Sequence, residues 1–318
     1  MTPRETIGVD LGGTKMAVGV VDSEQKVQYQ GSEPSTGLSE QKLIAELGRE
    51  MDEAKAARPD VVAAGLGIPA TIDFDRGVAI HAVNLTITDV PVRDLMQERI
   101  GLPVYVDNDA NVAALAEHLY GAGRGAQNVV MLTIGTGIGG GLILNGEVYR
   151  GSTGAAAELG HIVIEEDGPP CQGNCPNHGC VEALASGTAI AKAGREVAER
   201  DPDSALGKAL ADGPISGRTV TELALAGDGP ARDVVAQAGR HIGVALSSLA
   251  NIFDPDVFVI GGGVSVVGEL LLEPARHELR SRALPPQNES PVKLAELGPD
   301  AGMIGAAAMA LIELDKGH

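Results

Sequence analysis

The chain has no tryptophan, and aromatic residues make up only 2% of its 318 positions. Val, Ile, Leu and Ala must therefore fill whatever core it builds. Positive charge is scarce as well. Asp and Glu outnumber Lys and Arg by 43 to 24, a formal charge of -19, which repels nucleic acid and anionic membrane over most of the surface. An anionic substrate would have to be held locally, by backbone amides, a few cations or a metal. Cysteine is confined to three residues, all within CQGNCPNHGC between Cys171 and Cys180; an odd count outside a secretory setting argues against a disulfide framework. No apolar run is long and uninterrupted enough to read as a membrane span. The two most apolar windows, residues 129–144 and 257–272, are split by glycine triplets and are expected to be turn-linked strands. The opening MTPRETIGVD lacks the charged and apolar regions of a secretory signal. The expectation is a soluble, cytoplasmic protein without nucleic-acid or membrane partners.

What the chain has in excess is glycine, 43 residues with no collagen period. They cluster, which points to tight turns and to loops where backbone meets ligand. The length exceeds one ordinary core and predicts two domains. TIGVDLGGTKMAVGVVD reads as strand, tight turn, strand, and VVMLTIGTGIGGGLILNGEVYRG repeats that plan, with Asn145-Gly146 as a type I′ hairpin signal. Helices are predicted over residues 39–57, 183–200, 232–251 and 302–314. Another follows the strand in LPVYVDNDANVAALAEHLYG, capped by Asp109 or Asn111 and closed by Gly121. Strands alternating with helices predict an α/β fold built from two similar halves. The expected division is residues 1–116, with the last helix (300–318) packing back on them, and residues 117–299.

Three glycine turns at strand ends invite one ligand. DLGGTK (residues 10–15), TIGTGIGGG (133–141) and GGGVS (261–265) can aim backbone N–H groups at an oxyanion without a Cβ in the way. Thr14 and Thr136 add hydroxyl donors, Lys15 adds a charge, and Asp10 can hold Mg²⁺ or its waters. None is a Walker A loop or a dinucleotide fingerprint, and each alone could be an ordinary hairpin turn. In DNDAN (residues 107–111), Asp109 is either a general base for a hydroxyl or a helix cap. Glu158, His161 and Glu182, with Asn84 and Asn108, supply carboxylates and amides without matching cations, a set suited to a neutral polyol. The cysteines admit a disulfide, a nucleophile or a metal. His161, Cys171, Cys175 and Cys180 would make a closed Cys3His zinc tetrahedron of structural type, with His178 as the rival fourth ligand. If His161 ligates through one ring nitrogen, the other can orient a substrate hydroxyl.

Together these stretches resemble the ROK family of bacterial sugar kinases and sugar-responsive repressors, within the actin-like ATPase superfamily, over nearly the whole chain. DLGGTK resembles the first phosphate motif of that family, LTIGTGIGGGLI the second, VFVIGGGVS the adenosine motif and NDANVAALAE the stretch with the catalytic Asp; GSTGAAAELGH follows at the family's spacing. The resemblance implies two ribonuclease H-like domains with a cleft between them, closing over a sugar. It implies ATP-dependent phosphorylation of a hexose, glucose foremost, with N-acetylmannosamine, N-acetylglucosamine, fructose or allose as the other acceptors. It makes Asp109 the base that takes the proton of the hydroxyl, and Ala70, Asn84, Asn108, Glu158, His161 and Glu182 the sugar side. Asp10, Gly12, Gly13, Thr14, Lys15, Thr136, Gly137 and Gly262 then surround ATP and Mg²⁺, and His161 and the three cysteines hold zinc. It also implies a homodimer or homotetramer. Three departures concern the loop and the sugar side: three residues between Cys171 and Cys175 where the family usually has one, Ala70 where a Gly often follows the Pro, and no Trp after Asn84. Repressors of the family carry a helix-turn-helix before the kinase-like part; here the first phosphate loop begins at residue 10, and the charge is -19, so the expectation is a kinase.

Overall fold

The computed structural model describes residues 3–12, 15–82 and 85–317. The opening stretch folds as the expected hairpin: β1 (Glu5–Leu11) runs antiparallel to β2 (Lys15–Asp22), with Gly8 opposite Gly19. β3 (Val27–Pro34) extends the hairpin. α1 (Glu40–Ala57) starts where Ser39 accepts from the Lys42 N–H, satisfying one of the orphan donors of its first turn. β4 (Ala63–Ile68) joins β1 in parallel. Next come a small antiparallel sheet, β5 (Ala70–Asp73), β6 (Val78–Ala82) and β7 (Thr88–Val90), and then α2 (Val92–Ile100). β8 (Val104–Asn108) pairs in parallel with β4 and leads directly into α3 (Asp109–Tyr120). The cap of α3 is neither Asp109 nor Asn111. Asn108 accepts from the N–H groups of Ala110 and Asn111, because it is the last extended residue and its short amide reaches the first turn.

The second half repeats the plan. β9 (Val129–Ile134), β10 (Ile138–Leu144) and β11 (Glu147–Val148) form an antiparallel set; Asn145 and Gly146 both have positive φ, as the Asn-Gly signal predicts. The expected helix over 183–200 is two helices, α4 (Val181–Ala185) and α5 (Gly187–Arg200). Ser186 breaks it by adopting extended backbone and capping α5 at the Ala189 N–H. α6 (Ala205–Asp212), α7 (Gly217–Leu225) and α8 (Gly229–Phe253) follow. β12 (Val257–Gly261) runs parallel to β9, α9 (Glu269–Arg282) comes next, and β13 (Val292–Leu294) joins β12. The apolar window at 257–272 is thus a strand, a 3-10 turn and the start of a helix rather than turn-linked strands. α10 (Ala301–Lys316) closes the chain.

The two large sheets have the same strand plan, β3-β2-β1-β4-β8 and β11-β10-β9-β12-β13. α3 and α10 lie between them. Ala113, Ala114 and Ala116 of α3 and Met303 of α10 share one buried cluster with Val129 and Met131 of β9. Val112 of α3 and Ala306 of α10 share another with Ala63 of β4 and Tyr105 of β8. The approach to the first sheet is so close that only glycine fits: a Cβ on Gly8 would lie 2.1 Å from the Met303 carbonyl oxygen, and one on Gly65 would lie 1.9 Å from that of Ala306. Gly8 and Gly65 face each other across β1 and β4, so they form one groove for α10. The fully buried Glu117 of α3 accepts from the N–H groups of Ala122, Glu296 and Leu297, tying together the segments where the chain passes between the sheets. Among the described residues, no helix is long and apolar enough to cross a membrane.

Candidate functional site

Asp109 stands where β8 ends and α3 begins. Its Oδ1 accepts from the Ala110 N–H at 2.9 Å, which favours the ionised form. Burial outweighs that bond, the charges of Asp10 and Glu158 add to it, and the pKa of Asp109 rises to about 7. Asp10, at the end of β1, is pushed up to about 6 by burial, against the pull of the Lys15 ammonium. Carboxyls from three separate stretches therefore lie close enough to raise the pKa of Asp109. Asp109 as a residue is neither fully buried nor exposed, while protein crowds its carboxyl. Gly302, in the first turn of α10, backs Asp10; a Cβ there would lie 2.5 Å from the Asp10 carboxyl carbon.

The turn carrying Asp109 is braced by side chains that the motifs did not reveal. Asp107, 2% exposed, accepts from the Asn108 N–H and from the Asn111 amide, and pairs with the Arg150 guanidinium at 2.7 Å. Arg150 also lies over the Phe74 ring, 3.6 Å from its centroid, a cation–π contact. Arg150 follows β11 and Phe74 follows β5, so the brace joins the two halves. Asn108 caps α3 with its oxygen, and its amide donates to the Ala70 carbonyl at 3.2 Å.

The first glycine turn is only partly described: Gly13 and Thr14, like Asn84, lie outside the described residues. The Gly12 N–H donates to the Lys15 carbonyl and its own carbonyl accepts from the Ser35 hydroxyl, so this amide closes the turn. Lys15 opens β2 and is exposed. The second turn borders a cavity of about 810 Å³, lined by Gly135 and Thr136, by Gly187 and Thr188 of α5, by Ser216, Arg218 and Leu225 around α7, and by Gly263, Val264 and Val266 after β12. Gly262 has φ +86, and a Cβ on it would sit 2.5 Å from backbone atoms of Ile134. The second and third glycine turns therefore meet. Sequence reasoning missed the α5 and α7 contributions. Leu225 at the end of α7 is 53% exposed and Val266 after β12 is 64% exposed, apolar bulk on a cavity wall where a flat apolar group could rest.

Glu158 is exposed, with an Oε2 3.9 Å from His161 Nε2. His161 turns its other nitrogen, Nδ1, to Cys171 Sγ at 3.5 Å. The candidate ligand atoms of His161, Cys171, Cys175 and Cys180 all lie within 4.8 Å of one another. Tetrahedral zinc with ordinary Zn–S bonds sets neighbouring sulfurs about 3.7 Å apart; Cys175 and Cys180 are at 4.0 Å. Burial and then the neighbouring cysteines push the Cys171 thiol up to about 12, so thiolates in this set need a cation among them. The residues fit a structural zinc site. His178 is exposed and stands outside the group, so the rival ligand falls away. Glu182 does not simply face a sugar wall. Its Oε2 accepts from the Ile138 N–H at 2.8 Å and packs over Gly137, while Oε1 lies 4.0 Å from Cys171 Sγ. One carboxylate thus touches both the second glycine turn and the cysteine cluster.

The profile of the ROK family matches residues 6–313. The glucokinase of Halalkalibacterium halodurans is 38% identical over 96% of this chain and 94% of its own length. A crystal structure of a ROK family glucokinase from Streptomyces griseus, in complex with glucose and AMPPNP, superposes with a TM-score of 0.86 at 38% identity, covering 97% of this chain and 99% of that one. A putative xylose repressor from a Caldicellulosiruptor species is 30% identical over 97% of this chain and 78% of its own length.

Proposed function

The chain belongs to the ROK family, and from that premise we propose that it phosphorylates glucose with ATP, giving glucose 6-phosphate and ADP. One observation carries the reading: Asp109 stands at the β8–α3 junction among the carboxyls of Asp10 and Glu158, with its pKa raised to about 7. A base poised near neutral pH can take the proton of a sugar hydroxyl as its oxygen forms a bond to the γ-phosphorus; the bond to the bridging oxygen breaks, and ADP leaves. Asn108, Glu158, His161 and Glu182, with Asn84 and the backbone at Ala70, would hold the sugar so that the reacting oxygen faces Asp109. ATP would lie along the glycine turns, with Thr136, Gly137 and Gly262 near the phosphates and the base in the cavity beside α7. Gly12, Gly13, Thr14 and Lys15 would close the phosphate end. Asp10 would hold Mg²⁺, which when bound neutralises phosphate charge. Zinc at His161 and the cysteines would fix the His161 ring, leaving Nε2 to orient a hydroxyl.

We assign residues 1–116 together with 300–318 to one lobe and 117–299 to the other, so that movement about the Glu117 tie opens and closes the cleft. Closure would exclude water from the phosphoryl group. The kinase reading stands ahead of a repressor because the raised pKa of Asp109 suits a base and the charge of -19 opposes DNA. We place the enzyme in the cytoplasm, as a homodimer or homotetramer. A coupled assay of ADP release, run over a panel of hexoses, tests the assignment. Glucose is expected to be the best acceptor, Asp109→Ala to abolish turnover while glucose still binds, and the purified protein to contain one zinc ion per chain, lost in Cys175→Ser. Near-normal turnover in Asp109→Ala would sink it.

A further inference from the structure

The loop between Cys171 and Cys175 carries three residues, Gln172, Gly173 and Asn174. The first of them turns inward. Gln172 Nε2 donates to Ser186 Oγ at 2.7 Å and approaches the Glu182 carbonyl at 3.4 Å. Ser186 is fully buried, and it is the cap of α5, its Oγ also accepting from the Ala189 N–H. The first turn of α5 is in turn fastened to the second glycine turn. The Gly187 N–H donates to the Gly135 carbonyl at 2.8 Å and the Thr188 hydroxyl to the Thr136 carbonyl at 2.9 Å. The contact is tight: a Cβ on Gly187 would lie 2.7 Å from the Gly135 oxygen. Gly135, Thr136, Gly187 and Thr188 all line the large cavity.

We propose that Gln172 is a positioning residue through which the cysteine loop sets the nucleotide side of the cleft, by holding Ser186 and hence the α5 terminus against the Gly135–Thr136 turn. The proposal rests on the reading of the large cavity as the nucleotide site. A metal loop that only stapled itself would need no polar side chain spanning to a fully buried helix cap. Here the reach of Gln172 gives the loop a direct bond to the element that borders the cavity; of the sugar-side groups, Asn108 and Glu158 lie on other segments, and Glu182 is met only at its backbone carbonyl, at 3.4 Å, and not at its carboxylate. Rigid support of this kind changes affinity by sparing the loop the ordering it would otherwise undergo on binding.

The test uses the zinc-loaded protein and a variant that keeps the length of the side chain, Gln172→Met. Calorimetric titration with Mg·ADP is expected to show affinity weakened roughly threefold to tenfold, the range for one neutral hydrogen bond. KM for glucose and zinc content should match the wild type, and the melting temperature should fall by no more than the few degrees that one hydrogen bond accounts for. Adding Ser186→Ala to Gln172→Met should weaken ADP binding by less than Ser186→Ala does alone, because the two side chains act through one bond. Unchanged ADP affinity in Gln172→Met, with the wild type binding ADP, overturns this inference and leaves the kinase reading intact. Parallel weakening of ADP and glucose, or loss of zinc, overturns it too by exposing a general packing role. Failure of the wild type to bind Mg·ADP overturns both.

Discussion

A base held near neutral pKa by burial has a cost in stability, and that cost can be measured without turnover. Asp109→Asn keeps the shape of the side chain and its bond from the Ala110 N–H, but removes the ionisable carboxyl. In the native protein Asp109 keeps its proton up to about pH 7; in the unfolded chain it gives the proton up near the ordinary carboxylate value of 3.8. Below about pH 4 both states are protonated and the group costs nothing. As pH rises towards 7 the unfolded state gains by ionising and the native state does not, so stability falls through that window and levels off above it. A rise from 3.8 to about 7 corresponds to roughly 4 kcal/mol at full effect. The residue as a whole keeps some exposure, and relaxation of its surroundings offsets part of the penalty, leaving an expected difference of about 2 kcal/mol. Urea unfolding of both proteins at pH 5 and pH 8, without sugar, nucleotide or added magnesium, gives the readout. Asp109→Asn should be the more stable protein at pH 8, and its advantage should shrink to under about 1 kcal/mol at pH 5. A variant less stable than the wild type at pH 8, or an advantage that does not change with pH, would refute the claim that desolvation dominates at this carboxyl.

Other substitutions probe the surroundings of the site. Gly302→Ala places a Cβ 2.5 Å from the Asp10 carboxyl carbon; Asp10 must swing or α10 retreat, and kcat should fall by about tenfold or more, whereas an unchanged kcat would show that the position of Asp10 is not critical. Arg150→Met strands the buried Asp107, which keeps only its bonds from Asn108 and Asn111, so denaturant unfolding should show a loss of about 2 kcal/mol, largely recovered on adding Asp107→Asn. Ala157, beside Glu158, has φ +66, a region where a Cβ is strained; Ala157→Gly should gain about 0.5 kcal/mol after the added flexibility of the unfolded chain is set against it, and a lower melting temperature would refute that strain.

The elements whose signal is local were legible in the sequence. Two apolar hairpins broken by glycine, the Asn145-Gly146 turn, the charged helix-forming run of α1 and the ligand density around Cys171 each depend on neighbours within a few residues, so order alone exposes them. The same holds for the candidate base, since a carboxylate between a strand and a helix is a local pattern. Asp109 could still be read as a cap, because distinguishing it from Asn108 turns on which side chain points at the first N–H groups. What the order of residues could not settle was where distant pieces meet. That Gly8 and Gly65 form a groove for α10, that Arg150 braces Asp107 across Phe74, and that Glu182 serves a glycine turn as well as the cysteine loop are facts of folding at separations of tens to hundreds of residues. Such contacts leave no periodicity. They arise because burial removes water from groups that then have to find each other, and only the packed chain fixes which ones do.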